Sequence, residues 1–232
     1  MAWVYDTEVV IGQTNDETAG PQIKGSVYGS GENGHTYNDA SVTIHSGKIG
    51  ITEELESDPV GQKGAYYPYR GNVYGGGCGT DKYYADPTQE THDGNGTLYN
   101  ITAGIVGRNA TVTIDGGHVV RNVYGGGAMG SGTGRTTVNI SGKSVIGADG
   151  SGGGYVYAAS RGYDDMEAGF ATVGSTALNI SGGTIWQSAF GGGFPEYASK
   201  IACGLSGEGP MPSDTMMLYQ GTTTGAPRFV YG

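Results

Sequence analysis

Thr111-Val-Thr-Ile-Asp-Gly-Gly-His-Val-Val-Arg-Asn-Val-Tyr-Gly-Gly-Gly127 is the stretch whose reading decides the fold. Thr111-Val-Thr-Ile114 alternates polar and apolar residues, the period-2 signature of a half-buried strand with Val112 and Ile114 facing inward. Asp115-Gly-Gly117 predicts a corner, because glycine reaches positive φ without steric cost. His118-Val-Val120 opens a second strand that runs into Val123-Tyr124, and Gly125-Gly-Gly127 supplies the next corner. The pattern then returns as Thr137-Val-Asn-Ile140. Ile114 to Ile140 spans 26 residues, one turn of a coil.

Outward from this stretch, both halves of the pattern recur. The aromatic-glycine phrase appears as Gly25-Ser-Val-Tyr-Gly-Ser-Gly31, Gly71-Asn-Val-Tyr-Gly-Gly-Gly77 and Arg121-Asn-Val-Tyr-Gly-Gly-Gly127, with looser copies at 154–160 and 187–193. The β-branched phrase appears as Val42-Thr-Ile-His-Ser-Gly47, Tyr99-Asn-Ile-Thr-Ala-Gly104, Val112-Thr-Ile-Asp-Gly-Gly117, Val138-Asn-Ile-Ser-Gly142 and Leu178-Asn-Ile-Ser-Gly-Gly183. Ile114 to Tyr124 and Ile180 to Phe190 are both ten residues. A stacked parallel coil demands such constancy, because like residues must lie over like at the ~4.8 Å strand spacing.

The expected fold is therefore all-β, a right-handed parallel β-solenoid (β-helix) of about five irregular coils, the hand following the general preference of parallel crossovers. Val112, Ile114, Val138, Ile140, Leu178 and Ile180 are expected to be buried and stacked. Residues 1–24 read as a leading segment or cap, and 25–197 as solenoid repeats with insertions at 51–70, 78–96 and 161–175. Residues 198–232 read as a non-repeat tail that continues into a longer protein. Most insertions leave just after the aromatic-glycine phrase, so variable loops gather on one edge, where repeat proteins place binding.

Composition narrows the function classes. Glycine supplies 47 of 232 residues and the formal net charge is −10, with no run of Lys or Arg. That balance argues against a nucleic-acid partner. No stretch approaches the ~20 apolar residues of a membrane span, and the opening residues lack the form of a signal peptide. Together with a five-coil rod only about 25 Å long, this points to a fragment with an internal start at Met1. Two cysteines, Cys78 and Cys203, form no disulfide framework, and their pairing stays open.

Asn72-Val-Tyr-Gly-Gly-Gly77 and Asn122-Val-Tyr-Gly-Gly-Gly127, alternating with Val-Asn-Ile-Ser-Gly and Leu-Asn-Ile-Ser-Gly-Gly-Thr-Ile, resemble the repeats of large glycine-rich surface proteins of gut Bacteroidetes. The resemblance covers residues 25–195. It implies an adhesin-like parallel β-helix on the bacterial cell surface, extracellular, and it carries no catalytic residue over.

Tyr28, Tyr74, Tyr124, Tyr157 and Phe190 share one repeat position. Coil-on-coil stacking is favoured there over an exposed strip for sugar rings. The insertions combine flat rings with carboxylates, the mix that lectin-like glycan sites need. Tyr83 and Tyr84 stand with Asp81 and Asp86, and Tyr163 stands with Asp164 and Asp165. These seven are the candidate ligand-binding residues, weighed against ordinary loop decoration. No cofactor and no metal site is expected. Calcium is the nearest candidate, at Asp164-Asp-Met-Glu167 or Asp93-Gly-Asn-Gly, though neither matches a calcium-loop pattern. His35, His45, His92 and His118 share no zinc spacing and read as solvent-facing.

An alternative is a fragment of a polysaccharide-processing β-helix lyase or glycoside hydrolase with its active coils elsewhere. Such an enzyme needs carboxylates or a basic side chain stacked at one position, and here Thr43, Thr113, Asn139 and Asn179 fill it. A mechanical spacer with no ligand is a third reading. Uncapped ends would expose strand edges and allow end-to-end self-association.

Overall fold

A computed structural model describes residues 2–14, 20–51, 71–84, 97–100, 103–148, 153–162 and 171–194. For 80–84 and 97–100 it describes strand pairing only. The described chain is all-β. A first pass comprises β1 (Trp3–Val4), β2 (Thr7–Ile11), β3 (Gln22–Ile23) and β4 (Val27–Tyr28). A second comprises β5 (His35–Thr36), β6 (Ala40–Ile44), β7 (Lys48–Ile49) and β8 (Val73–Tyr74). A hairpin, β9 (Thr80–Tyr84) and β10 (Thr97–Asn100), follows. The third pass is β11 (Ala110–Ile114), β12 (His118–Val119) and β13 (Val123–Tyr124). The fourth is β14 (Arg135–Ile140), β15 (Val145–Ile146) and β16 (Val156–Tyr157), and the fifth is β17 (Ser175–Ile180), β18 (Thr184–Ile185) and β19 (Ala189–Phe190).

These passes stack into three five-stranded sheets, ordered β2-β6-β11-β14-β17, β3-β7-β12-β15-β18 and β4-β8-β13-β16-β19. Every pairing within them is parallel, and like residues are in register. Val9, Val42, Val112, Val138 and Leu178 form one column, and Ile11, Ile44, Ile114, Ile140 and Ile180 the next. Each pass visits the sheets in the same order. This in-register parallel stacking is what the constant repeat spacing demands. The leading segment supplies β2 and β3, so the ladder begins before the first aromatic-glycine phrase.

The alternation in Ala110–Ile114 sends Val112 and Ile114 into a shared aliphatic core with Val73, Val119, Val123 and their counterparts. Burying each such side chain is worth about 1.5–3 kcal/mol. At the corner between the first two sheets, Gly117 has φ +75°, a conformation that L side chains rarely adopt. Two expectations are corrected. Ile180 is 48% exposed and Leu178 only partly buried, because no described strand pairs with the far edge of β17. The phrase that opens at Tyr99 begins outside the stack: its first residues, Tyr99 and Asn100, lie on β10, which pairs antiparallel with β9. The return to the stack comes later, at Val106, which bridges Thr36 and Gly132, and then at β11.

The aromatic position settles as a second core. Tyr28, Tyr74, Tyr124, Tyr157 and Phe190 stack face to face, with centroid separations of 4.8, 4.9, 5.2 and 5.0 Å and interplanar angles of 6–9°. Val123 and Tyr124 point to opposite sides of their strand, yet both sides are covered. Tyr74, Tyr124 and Tyr157 are each 1% exposed, which overturns the exposed-strip reading at this position. Ala128, Tyr155 and Phe194 pack against the ladder.

The asparagine of the phrase has a matching role. Asn72 Oδ1 accepts from the Asn122 backbone N–H at 3.2 Å, and Asn122 Oδ1 accepts from Gly154 and Tyr155 at 3.0 Å. Each amide thus ties one pass to the next, and Asn122 Nδ2 donates to the Tyr124 hydroxyl at 3.1 Å.

The ladder sets an order of sensitivity. Tyr124→Ala removes the ring between Tyr74 and Tyr157 and the acceptor of Asn122, and is expected to cost about 3–5 kcal/mol. Tyr28→Ala, which removes one ring contact at the ladder's end, is expected to cost clearly less. Urea denaturation of the two variants measures this, and equal losses would contradict the stack.

Candidate functional site

Two kinds of surface emerge from the stack: the outer columns of the sheets and the edge where the chain leaves after each glycine corner. The outward column Val10, Thr43, Thr113, Asn139 and Asn179 is held in register. Asn139 Nδ2 donates to Thr113 Oγ1 at 3.3 Å, and Asn179 Nδ2 donates to Asn139 Oδ1 at 2.9 Å. Asn139 and Asn179 are therefore parts of an amide ladder. At the entry to the third pass, Asn109 Oδ1 accepts from Arg135 N–H.

The edge after the glycine corner carries the aromatic-carboxylate insertions. Asp81, Tyr83 and Tyr84 lie on β9, in an antiparallel hairpin that pairs Thr97 with Tyr84 and Leu98 with Tyr83. The hairpin leaves between the second and third passes, and its side chains lie outside the described residues. Asp86, Tyr163, Asp164 and Asp165 lie outside them as well, as do Asp93, Glu167, His92 and Cys203.

At the root of that edge sits a half-buried polar group. Cys78 and Tyr28 share a side-chain hydrogen bond, with Arg161, 4% exposed, and Glu32 close enough to act on them electrostatically. Burial first, then Cys78, pushes the Tyr28 phenol up; burial likewise pushes the Cys78 thiol up. A thiol so held stays protonated at neutral pH and packs rather than attacks.

The three described histidines, His35, His45 and His118, are not simply solvent-facing as expected. His45 Nδ1 meets both carboxylate oxygens of Asp115, at 2.9 and 3.0 Å, although the two are 70 residues apart. They occupy the same corner position of adjacent passes, and aligning Val42-Thr-Ile-His45 with Val112-Thr-Ile-Asp115 would have found the pair. His118 Nε2 lies 2.8 Å from the Gly147 carbonyl. His35 is 3% exposed, against the Trp3 ring at 4.1 Å, and its Nδ1 has no hydrogen-bond partner. It adjoins a recess of about 420 Å³ at the first-pass end of the aromatic ladder, lined also by Val4, Val9 and Tyr28.

No protein-family model, curated protein or solved structure matches this chain. Among the described residues no helix is long and apolar enough to cross a membrane. What the edge can do must be read from its own chemistry.

His35 gives that reading a pH test. Burial holds its imidazole below the usual histidine range, so the fold favours the neutral ring, whereas the unfolded chain takes up a proton near pH ~6.5. Stability from this group is full above that pH and falls as pH drops below it. The urea midpoint of the native sequence is expected to fall between about pH 8 and pH 5 by more than that of His35→Asn. Equal falls would contradict the assignment.

Proposed function

We propose that the stacked passes close into a right-handed parallel β-solenoid. On this reading the chain is a structural, adhesive segment of a bacterial cell-surface repeat protein, displayed outside the cell. Its tyrosine-rich loops bind glycans on a host or neighbouring cell.

The observation that carries the reading is the division of labour along the repeat. At each recurrent position the side chains satisfy one another from pass to pass: aliphatic on aliphatic, ring on ring, amide on backbone. The hairpin of β9 and β10, by contrast, steps out of the stack and carries Tyr83-Tyr84 beside Asp81. A rigid ladder with aromatic excursions suits display. Rings offer large contact area at low conformational cost, and carboxylates accept from sugar hydroxyls. The resemblance of the Asn-Val-Tyr-Gly-Gly-Gly phrases to bacterial surface repeats supports the same location.

Binding of the chain to an immobilised array of host glycans and plant polysaccharides, with and without Ca²⁺, tests this reading. The expected outcome is a reproducible hit, independent of Ca²⁺, that a Tyr83→Ala/Tyr84→Ala variant loses while its urea midpoint stays put. A blank array would favour a spacer.

A further inference from the structure

The buried aromatic ladder has an exposed counterpart at the entry to the first sheet. β1 and β5 pair in parallel, Trp3 with His35 and Val4 with Thr36, and the strand alternation sends Trp3, Tyr5, His35 and Tyr37 to one side. Their rings form a continuous group: Trp3 on His35 at 4.1 Å, Trp3 on Tyr37 at 4.6 Å and Tyr5 on Tyr37 at 5.5 Å. His35 is buried beneath. The other three are 53% (Trp3), 73% (Tyr5) and 52% (Tyr37) exposed.

Exposure at the end of a stack is ordinary, but Tyr37 belongs to the second pass and has first-pass rings beside it. It stays open because the next residue in its column is Gly107, whose backbone N–H donates to Thr36 and which offers no side chain to cover the ring. The ring group therefore ends in a step.

Next to that step the chain turns into the sheet. Asp6 accepts from the Asn38 amide at 3.4 Å and from the Asp39 backbone N–H at 3.2 Å, which fixes the turn between rings and sheet. One oxygen of Asp39, an exposed residue, accepts from Asn109 N–H at 2.9 Å. Arg108, also exposed, follows Gly107 and has its backbone bonded to Asn38.

We propose that Trp3, Tyr5 and Tyr37 form a saccharide-binding surface for a neutral β-linked pyranose chain, with the exposed Asp39 two residues beyond Tyr37. This surface is separate from the β9–β10 hairpin. It rests on the reading above that the chain binds glycans, and adds a second surface to the hairpin. A pyranose with axial C–H bonds has an apolar face that packs on an aromatic ring, while its equatorial hydroxyls stay at the rim, where water or a carboxylate can bond them. Contact among the rings pre-orders them, so little rotamer freedom is lost on binding. A net charge of −10, with Asp6 next to Tyr5 and Asp39 two residues from Tyr37 in the sequence, selects against uronate or sulfated chains.

The chain has two tryptophans, Trp3 and Trp186, so Trp186→Phe leaves Trp3 as the sole tryptophan reporter. Titrating that variant with cellohexaose is expected to give a saturable change in Trp3 emission. Adding Tyr37→Ala should weaken the apparent affinity by about tenfold or more, the loss of one aromatic contact. Tyr5→Ala should act in the same direction, and the urea midpoint should hold in both. Adding Tyr83→Ala/Tyr84→Ala should leave the titration unchanged. No change in Trp3 emission at millimolar cellohexaose would overturn the surface, as would a change indifferent to Tyr37→Ala. A cellohexaose response that the hairpin variant loses and Tyr37→Ala keeps would overturn this surface and leave the hairpin reading standing. A response that Tyr37→Ala loses, in a chain whose array binding the hairpin variant keeps, would uphold this surface and overturn the hairpin.

Discussion

Register is the constraint on which everything else in this molecule depends. Each residue of a pass lies over its counterpart at the strand spacing, so the side chain at one position is chosen by the passes on either side. Strand spacing near 4.8 Å also suits the separation of two stacked rings. The observed centroid distances of 4.8–5.2 Å show the coincidence in use. A tyrosine column can therefore form without bending the backbone, and an asparagine column can hand one hydrogen bond per pass along the axis. The glycines follow from the same constraint. A Cβ on Gly125 would run into the Ala158 carbonyl of the next pass, so the corner admits little more than backbone.

This explains which parts of the fold were legible in the sequence. The column residues Val112, Ile114, Val138 and Ile140 announced themselves through period-2 alternation and constant offsets, and all four are buried. Two features escaped for opposite reasons. Tyr99-Asn-Ile-Thr carries the right local pattern but opens in the wrong pairing, since local pattern does not distinguish a stacked strand from one folded back on β9. Thr7–Ile11 and Gln22–Ile23 do belong to the ladder, but their corner is long. Ile11 to Ile23 is 12 residues, where Ile44 to Ile49 and Ile180 to Ile185 are five. An expanded corner hides a repeat whose strands are intact.

Function was less legible because the repeat phrases are occupied with holding the stack. Among the described residues the tyrosines that recur are buried or half-buried, whereas the exposed ones, Tyr5 and Tyr37, stand outside any phrase. Their meeting with Trp3 depends on a parallel pairing between segments 32 residues apart. His45 and Asp115 illustrate the intermediate case: neither is notable alone, and their shared repeat position brings them into contact. Chemistry on a stacked fold is thus found by reading down columns rather than along the chain.

The central claim is in-register parallel stacking, and cross-strand backbone nuclear Overhauser contacts in solution test it most directly. The account predicts contacts linking Val42 to Val112 and Val112 to Val138, with ring contacts from Tyr74 to Tyr124 and Tyr124 to Tyr157. Contacts that pair β11 antiparallel with β12 or β13, as in a sandwich of hairpins, would contradict it.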